Sequence, residues 1–405
     1  CNPKEPLPRR RPPLPPARTL RPMPHLQAPV YGSPIVTARY GAGYVLEYDF
    51  GADTITRVKT DDHMDASLPV DARVAALLKK MTNEEKAAQT ILFTAWVNNA
   101  SAYSAALELY GSTGVGALSG EACDDANCTR LAYQNAAQAA IMNQSRLHIP
   151  ASFICETLHS ADGISTIFPM PCLQGATWDT ALVHDVAVSI ARQARAGGVD
   201  RGFSPEINVC TDPRFGRSEE NFGEDPALVS AMGVAAVKGL QGGNTEGPSS
   251  YLPAKGAIIS EAKHAAAYGF GGRDGAPADL SERTLHDVYF RPWREYVAAG
   301  GRGAMMSHNS INDVPAHANA ELMSFLRRSA GDASAGMLIA SDECDVANLQ
   351  AFDGGRRGFG IAANLSHAAA LSMTAGLDQE FCFHGDNAGI SAFVGADKLV
   401  ESGMI

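Results

Sequence analysis

The segment LIASDECD, residues Leu338–Asp345, gives the first indication of the fold. It begins as an apolar run after Gly336 and turns abruptly acidic. This pattern is typical of a buried parallel strand that ends in a carboxylate at its C-terminal tip. In a (β/α)₈ barrel, strand tips on that face form the active site, so Asp342 could act as a nucleophile, a general base or a metal ligand. The alternative is a helix N-cap, because Ser341 suits a cap and Glu343 suits a first helical turn.

Elsewhere in the chain, short apolar runs alternate with amphipathic helical patterns. Further strand-like runs lie at Gly114–Leu118, Ile149–Cys155, Arg201–Val209, Gly256–Ala262 and Gly303–Met306. Helices are predicted at Val70–Met81, Thr82–Gln89, Arg130–Leu147, Leu182–Gly197, Asp225–Leu240, Ser281–Ala299, Glu321–Arg328 and Ser366–Ala375. Such alternation favours a parallel sheet, and no Gly-x-Gly-x-x-Gly follows an early strand, which disfavours a Rossmann-type sheet. We predict an α/β fold, a TIM-type (β/α)₈ barrel.

The first 62 residues differ in composition from the remainder. Arg9–Pro16 is basic and proline-rich, which is typical of a linker or an extended arm. Tyr40–Val58 alternates enough to form a strand pair. We therefore predict a proline-rich, irregular segment at residues 1–62 and the barrel at residues 63–405.

Length and charge limit the class of protein. The 405 residues are enough for one large barrel or for two domains, since a (β/α)₈ barrel typically uses about 250 residues. The formal net charge of −11 argues against nucleic acid or an anionic membrane surface as the main partner. No apolar run approaches the roughly 20 residues of a transmembrane helix, so we expect no membrane partner.

The eight cysteines lack the spacing of a metal site. Cys123 and Cys128 share a polar loop and could close a small disulfide. Four others lie in apolar or motif-rich stretches and are predicted to be free thiols: Cys155, Cys172, Cys210 and Cys344. Glycosylation sequons begin at Asn99, Asn127, Asn143 and Asn364. We expect a secreted or extracellular protein.

Polar side chains follow nearly every predicted strand. In chain order these are Glu156 and His159; Asp212, Arg214 and Arg217; Lys263 and His264; His308 and Asn309; and Asp342. Each has a structural explanation of its own, since an isolated histidine usually only forms a hydrogen bond and an Asp-Pro-Arg turn is often only a turn. A ring of carboxylates and cations at strand ends instead favours a small polyhydroxylated ligand.

The loop TDPRFGRSEENFGEDP, residues Thr211–Pro226, closely resembles the long loop motif of glycoside hydrolase family 3. Other signatures of that family follow in the expected order. They are Met81–Lys86 with Gln89; Ile149–Pro150 with Glu156–His159; Phe168–Pro169; Ala176–Asp179; Lys263–His264; Met306–Asn309 with Val314–Pro315; and Ser341–Asp342. The resemblance covers roughly Leu68 to the last residue.

The resemblance implies a retaining, exo-acting β-glycosidase that acts on a small carbohydrate without a cofactor. Asp342 is the implied nucleophile, which forms a glycosyl-enzyme, with a second carboxyl group about 5–5.5 Å away as acid/base. The implied substrate-binding residues are Glu156, Arg217, Lys263, His264 and His308. Many β-glucosidases of the family have Asp where this chain has Glu156, which resembles the β-xylosidase and α-L-arabinofuranosidase branch. We therefore expect a β-D-xylosidase, or an α-L-arabinofuranosidase, acting on plant-type oligosaccharides.

The sequence departs from the family pattern in three respects. His308 replaces the tyrosine that commonly lies beside the nucleophile, and a histidine changes charge near neutral pH. Ser160 replaces a usual glycine after His159. The family also continues into an α/β sandwich domain that supplies the acid/base, and we expect this domain to be missing from residues 63–405. Glu220 and Asp345 are available acids, but the family pattern nominates neither.

Two other functions remain open at this stage. The first is a truncated or degenerate barrel that binds sugar without catalysis. The second is an aldolase that uses Lys263 as a Schiff base, which leaves the Asp-Pro-Arg loop and Asp342 unexplained. We expect no metal site, because His159, His264 and His308 lie on different strands without a clear carboxylate partner.

Overall fold

The computed structural model describes fourteen ranges: residues 35–39, 44–49, 54–59, 62–65, 67–95, 110–120, 130–161, 166–242, 256–271, 276–329, 336–351, 358–383, 392–393 and 395–405. Three predictions lie outside these residues: the proline-rich segment Arg9–Pro16, the Cys123–Cys128 disulfide, and the sequons at Asn99 and Asn127.

Two compact units divide the chain, Cys1–Lys79 and Lys80–Ile405. The first contains three antiparallel strands in sequence order: β1 Ile35–Arg39, β2 Tyr44–Asp49 and β3 Thr54–Lys59. A short 3₁₀ turn at Asp62–Met64 precedes helix α1, Val70–Lys80. The strand pair predicted within Tyr40–Val58 corresponds to β2 and β3, which pair antiparallel, and β1 adds a third strand before it.

The second unit is built on eight parallel strands that neighbour one another in chain order. They are β4 Ile91–Ala95, β5 Ala117–Gly120, β6 Ser152–Glu156, β7 Arg201–Glu206, β8 Ile259–Ala265, β9 Gly303–Met306, β12 Leu338–Ala340 and β13 Glu380–Phe383. A small antiparallel pair, β10 Ser310–Ile311 and β11 Val314–Pro315, follows β9. The predicted TIM-type barrel is confirmed, with β4 and β13 as strands that the sequence did not predict.

The last strands bring the sheet back to its start. β13 pairs with β4 in parallel, with Phe381 opposite Leu92. On its other side the segment that leads into β13 bonds to β12. The Asp378 N–H donates to the Ile339 carbonyl (2.9 Å), and the Ser341 N–H donates to the Gln379 carbonyl (2.9 Å). These bonds nearly close the sheet into a barrel.

Helices connect the strands and flank the sheet. They are α2 Asn83–Gln89, α3 Arg130–Gln144, α4 Pro171–Gly175, α5 Thr180–Ala196, α6 Pro226–Gln241, α7 Glu282–Thr284, α8 Arg291–Ala298, α9 Ala320–Ser329, α10 Leu365–Ala375 and α11 Ala396–Glu401. The predicted capping box at α2 is present, since the Glu85 N–H donates to Thr82 Oγ1 (3.1 Å) and the Thr82 N–H donates to Glu85 Oε2 (2.9 Å). This exchange satisfies two backbone donors at the start of the helix.

Alternate residues of the barrel strands point inward and outward. The inner cluster comprises Leu92, Ala117, Ile154, Phe203, Met305, Cys344, Phe381 and Cys382. Their strand neighbours, such as Phe93, Leu118 and Phe153, belong to the larger cluster against the helices. Because both faces of the sheet are covered, most strand residues are apolar, and the charged residues of the strands are paired or lie toward the strand ends.

One cysteine prediction is wrong. Cys344 is not a free thiol but forms a disulfide with Cys382, with the two Cα atoms 4.4 Å apart. The turn after β12 folds over β13, where the Cys344 N–H donates to the Phe381 carbonyl (2.7 Å). This contact joins residues 38 positions apart in the chain, which the sequence pattern did not reveal. The other three predicted thiols, Cys155, Cys172 and Cys210, are not joined in disulfides.

Candidate active site

Asp342 lies at the C-terminal tip of β12, as the strand interpretation predicts. Its side chain is 9% exposed, and Asp342 Oδ1 accepts a hydrogen bond from the Glu343 N–H (2.7 Å). The N-cap alternative is not supported, because a cap accepts from the residue two or three positions on and the segment continues as turns. The Asp342 N–H donates to His317 Nε2 (3.2 Å), which ties the backbone at this position to a buried histidine.

His308 forms a bridge between Asp342 and a second carboxylate. His308 Nε2 lies 2.7 Å from Asp342 Oδ2, and His308 Nδ1 lies 2.5 Å from Asp345 Oδ2. Asn348 Nδ2 also donates to Asp345 Oδ1 (2.7 Å), which holds that carboxylate in place. The residue that departs from the family pattern thus touches the nucleophile candidate directly.

This bridge determines the charge state of both partners. Burial by itself lowers the pKa of His308, but the charges of Asp342 and Asp345 raise that pKa to about 12. Burial by itself raises the pKa of Asp342, but the His308 charge and hydrogen bond hold that pKa well below its ordinary value. The Asp342–His308–Asp345 group is therefore a cation between two anions at neutral pH, and Asp342 is ionised.

A second histidine, His264, lies beside Asp342 and contacts Arg217. His264 Nε2 is 3.4 Å from Asp342 Oδ2 and 3.3 Å from Arg217 Nη1. Burial, followed by the positive charge of Arg217, holds the pKa of His264 well below its ordinary value, so this ring is neutral. The Tyr268 ring packs edge-on against His264 (centroids 5.1 Å apart) and lies under the Arg217 guanidinium at 5.8 Å.

Two acids hold the remaining cations of the site. Arg217 donates twice to Glu220, from Nε to Oε1 and from Nη2 to Oε2, at 2.7 Å each. Lys263 Nζ lies 2.5 Å from Glu156 Oε2 and 4.0 Å from Glu220 Oε2. Burial lowers the pKa of Lys263, but nearby negative charges, first that of Glu156, outweigh burial and raise that pKa above its ordinary value. Lys263 is therefore a fixed ammonium ion, which is the wrong state for a Schiff-base nucleophile.

The strand ends bring all six predicted site residues together. These residues are Glu156, Arg217, Lys263, His264, His308 and Asp342. Other strand-end residues take structural roles. Arg214 pairs with Asp212 (2.6 Å) and has an 84% exposed side chain, and His159 Nδ1 lies 2.8 Å from the Phe168 carbonyl. Glu156 and His308 are the more exposed members of the site, with side chains 32% and 25% exposed. They are thus the members most open to a ligand.

Sequence reasoning missed four buried residues that support the site: Glu206, Asn208, Tyr268 and His317. Glu206 had one visible signal, since an acid inside an otherwise apolar strand run needs a buried partner. Asp345 was considered as an acid/base and instead binds His308. Nothing local in the sequence distinguished His317, which lies in a short 3₁₀ turn after β11.

The site also contains a set of possible metal ligands. His264, His308 and Asp342 each offer one atom, and these atoms all lie within 4.8 Å of one another. Two of the predicted histidines thus meet a carboxylate, which the sequence argument did not foresee. The donor set fits a metal poorly, because Arg217 Nη1 lies against His264 Nε2 and His308 carries a proton on the bond to Asp342.

The chain matches a known family over most of its length. Residues 82–405 match the glycosyl hydrolase family 3 N terminal domain. A β-xylosidase from Formosa agariphila is 36% identical over 246 residues, which cover 58% of this chain and 32% of that protein. In the described part of the chain, no helix has the length and apolar character needed to cross a membrane.

Two solved structures share the fold at moderate identity. A β-glucosidase from Erythrobacter marinus superposes with a TM-score of 0.74 at 33% identity, covering 85% of this chain and 44% of that one. A β-glucosidase from Listeria innocua superposes with a TM-score of 0.69 at 27% identity, covering 82% and 44%. This chain therefore spans less than half the length of each of these relatives.

Proposed function

This chain belongs to glycosyl hydrolase family 3, and from that premise we propose that it is a retaining, exo-acting β-glycosidase whose nucleophile is Asp342. The observation that carries the proposal is the contact of Asp342 with His308, which keeps the carboxylate ionised at the end of β12. An ionised carboxylate among cations and hydroxyl-binding groups suits attack on an anomeric carbon.

In the proposed reaction, Asp342 forms a bond to the anomeric carbon as the glycosidic C–O bond breaks. The leaving oxygen takes a proton from a general acid, and water later releases the sugar with retention of configuration. Neither acid that the sequence offered suits the proton transfer. The pKa of Glu220 is lowered to about 2, since its bonds to Arg217 outweigh the effect of burial, and Asp345 accepts from His308 and Asn348. The general acid is therefore left unassigned.

Glu156 supports the proposal that the sugar is a pentose. It is held by Lys263 at the end of β6 and is one methylene longer than aspartate, so it would occupy space that a hexose hydroxymethyl group needs. The relative from Formosa agariphila carries the name β-xylosidase, whereas the two solved relatives are named β-glucosidases. We place this chain with the xylosidases and assign it plant-type xylo-oligosaccharides as substrates.

Shortening Glu156 tests the choice of sugar. For Glu156→Asp, we expect the ratio of kcat/KM for aryl xyloside over aryl glucoside to fall about tenfold, since one methylene in a pocket is worth about 1–3 kcal/mol. Glu156→Gln is the matched control, which keeps the length and removes the charge. It should lower both activities and leave their ratio near that of the unaltered protein. A ratio that does not respond to Glu156→Asp would remove the basis for a xyloside.

We also propose that the protein is secreted. The Cys344–Cys382 disulfide suits an oxidising compartment, and the sequons at Asn143 and Asn364 begin at exposed positions. Mass spectrometry of the protein from its natural source, without reduction, should find Cys344 and Cys382 joined. Two free thiols there would contradict the proposal.

The nucleophile is tested by trapping with 2-fluoro-xylosyl fluoride, whose good leaving group needs no general acid. Intact mass should rise by one fluoroxylosyl group, and peptide mapping should place it on Asp342. Asp342→Asn should not label. Asp212→Asn is the control, because Asp212 pairs with the exposed Arg214 instead of the site cations, and it should label normally.

The same experiment separates the alternatives. A folded protein that binds xylose or glucose but is labelled by neither fluoro sugar would be the non-catalytic sugar-binding barrel. A label on another carboxylate would overturn the assignment of Asp342 while keeping the enzyme class.

A further inference from the structure

Glu206 is a buried acid next to the sugar-binding cations that the proposed mechanism does not use. It is the last residue of β7 and is 0% exposed. Asn208 Nδ2 donates to Glu206 Oε1 (2.9 Å), and the same Nδ2 lies 3.2 Å from His264 Nδ1. Glu206 therefore connects through one amide to the histidine that faces Asp342.

The donors around Glu206 are too few for a carboxylate. An ionised carboxyl group can accept about four hydrogen bonds, and one buried without donors carries a large desolvation cost. Among described residues, Glu206 Oε2 receives no hydrogen bond. The nearest guanidinium nitrogen, Arg217 Nη2, is 3.6 Å away and already donates to Glu220. The hydrogen-bond count thus favours an uncharged Glu206.

On its other side Glu206 faces an apolar region. It lines a small cavity between β6, β7 and helices α5 and α6, together with Val186, Ile190 and Leu240. Within the described lining, Glu206 is the only titratable side chain. Among the described residues, the charged or titratable groups that face it lie on the site side: Arg217, Glu220, Lys263 and His264. The described lining of the cavity contains no cation.

We propose that Glu206 is a neutral positioning residue, which holds Asn208 and, through Asn208, orients His264 toward the sugar. The orienting role rests on the proposed glycosidase function, whereas the neutral state does not. With Glu206 uncharged, Glu220 and Glu156 are the two carboxylates that pair with Arg217 and Lys263.

The electrostatics agree with this geometry. Burial, and then the negative charge of Glu220, raise the pKa of Glu206 well above its ordinary value, although Arg217 and Lys263 oppose this. The pKa of Glu220 moves the other way, to about 2, because the hydrogen bonds from Arg217 stabilise its charge against burial. The two acids are therefore expected to respond to pH with opposite signs.

The neutral state of Glu206 is tested by thermal unfolding of Glu206→Gln between pH 5 and pH 8. A neutral buried acid stabilises the fold below its unfolded pKa of about 4.3, and this contribution is lost as pH rises toward the folded pKa. Glutamine does not titrate, so the Glu206→Gln variant does not lose stability in this way as pH rises. The difference in Tm, variant minus unaltered protein, should therefore increase by several degrees from pH 5 to pH 8.

Glu220→Gln is the matched control with the opposite expectation. The Glu220 charge contributes stability above the unfolded pKa, so this variant should have a lower Tm, by a constant amount, from pH 5 to pH 8. If Glu206→Gln behaves in the same way, Glu206 is ionised and the proposal is wrong. This readout requires no glycosidase activity, so it remains decisive even if no fluoro sugar labels the protein.

The positioning role is tested by rescue. Glu206→Ala should raise, about tenfold, the concentration of 2-fluoro-xylosyl fluoride that gives half the maximal labelling rate. Glu206→Gln should recover most of that loss, because the amide keeps the contact with Asn208. Equal losses in both variants would show that the proton is not replaceable by an amide and would overturn the positioning role.

Discussion

His308 has two carboxylate neighbours, and this arrangement has a direct chemical consequence for Asp342. An imidazolium ion between Asp342 and Asp345 is stabilised from both sides, which is why burial does not neutralise it. Tyrosine, which the family resemblance implies at this position, could donate one hydrogen bond but would carry no charge at neutral pH. In this chain the proposed nucleophile, Asp342, therefore has a cation as its partner at neutral pH.

Replacement of His308 by glutamine should change how the rate of labelling depends on pH on the acidic side of the profile. With the cation present, the pKa of Asp342 lies well below 3.8, so labelling by the fluoro sugar should be constant from pH 8 to below pH 5. Without it, burial dominates and the pKa of Asp342 should rise above its ordinary value. The labelling rate of His308→Gln should then fall as the pH is lowered through a range in which the unaltered protein shows no change.

The control for this measurement is His184→Gln, which removes a half-exposed histidine of helix α5 that faces Asp185. Its profile should match that of the unaltered protein. A His308→Gln profile with no change in its acid limb would mean that His308 does not determine the charge state of Asp342.

The individual residues of the site were predictable only where a motif contains them. Arg217, Lys263, His264 and Asp342 follow strands in recognisable patterns, and the structure brings their side chains together. Residues such as Glu206, and the pairing of His308 with a second carboxylate, arise from contacts between distant segments. Their partners lie on other strands, so neighbouring sequence carries no signal for them.

At the level of single elements, the turn after β12 depends on the strand beside it. Ser341 and Cys344 bond to the backbone of β13, and the disulfide adds a covalent link in the same place. The Phe381 N–H donates to Ser341 Oγ (2.9 Å), one residue before Asp342. The position of Asp342 is therefore determined by β13 as well as by β12.

Removal of the disulfide should loosen this turn and the barrel closure. We expect Cys382→Ser to lower the free energy of unfolding by about 2–4 kcal/mol, as for a cross-link that closes a loop of this length. Urea titration without reductant measures it. Cys172→Ser, at a half-buried free thiol on helix α4, is the control and should cost far less. If Cys382→Ser matched that control, the cross-link would contribute nothing to stability.

Elements with a periodic pattern or a cap were predicted, and two strands were not. Helix α2 has its capping box, and β9 coincides with the predicted Gly303–Met306. β4 follows α2 after one residue without a glycine or proline, so its apolar run was not separated from the helix. β13 is only four residues long and starts with a buried glutamate. Both are the strands that close the barrel, whose partners are the most distant in sequence.

At the level of the whole molecule, the barrel interior contains a charged pair that no strand pattern revealed. Arg201 Nε of β7 lies 2.8 Å from Glu261 Oε2 of β8, with side chains 6% and 0% exposed. Arg201 Nη2 also donates to Gln379 Oε1, just before β13. Burial lowers the pKa of Arg201 and raises that of Glu261, so each charge depends on the other. This pair connects the middle of the sheet to its closing strand.

Replacing Arg201 alone should therefore lower the free energy of unfolding more than replacing both Arg201 and Glu261. Arg201→Met leaves Glu261 as an unpaired buried carboxylate, and we expect a loss of about 3–5 kcal/mol in unfolding free energy at neutral pH. The loss should shrink at pH 5, where Glu261 can take up a proton. Arg201→Met combined with Glu261→Met should recover most of the stability, because well-packed apolar residues replace both charges.

Urea titrations of the single and double variants at pH 5 and pH 8 measure these differences. Met305→Leu, a volume-conserving change in the same barrel interior, is the control and should cost less than about 1.5 kcal/mol at both values of pH. Losses that simply add in the double variant would mean that the two charges do not interact. Closure of the barrel would then rest on its apolar layers and on the β12–β13 contacts alone.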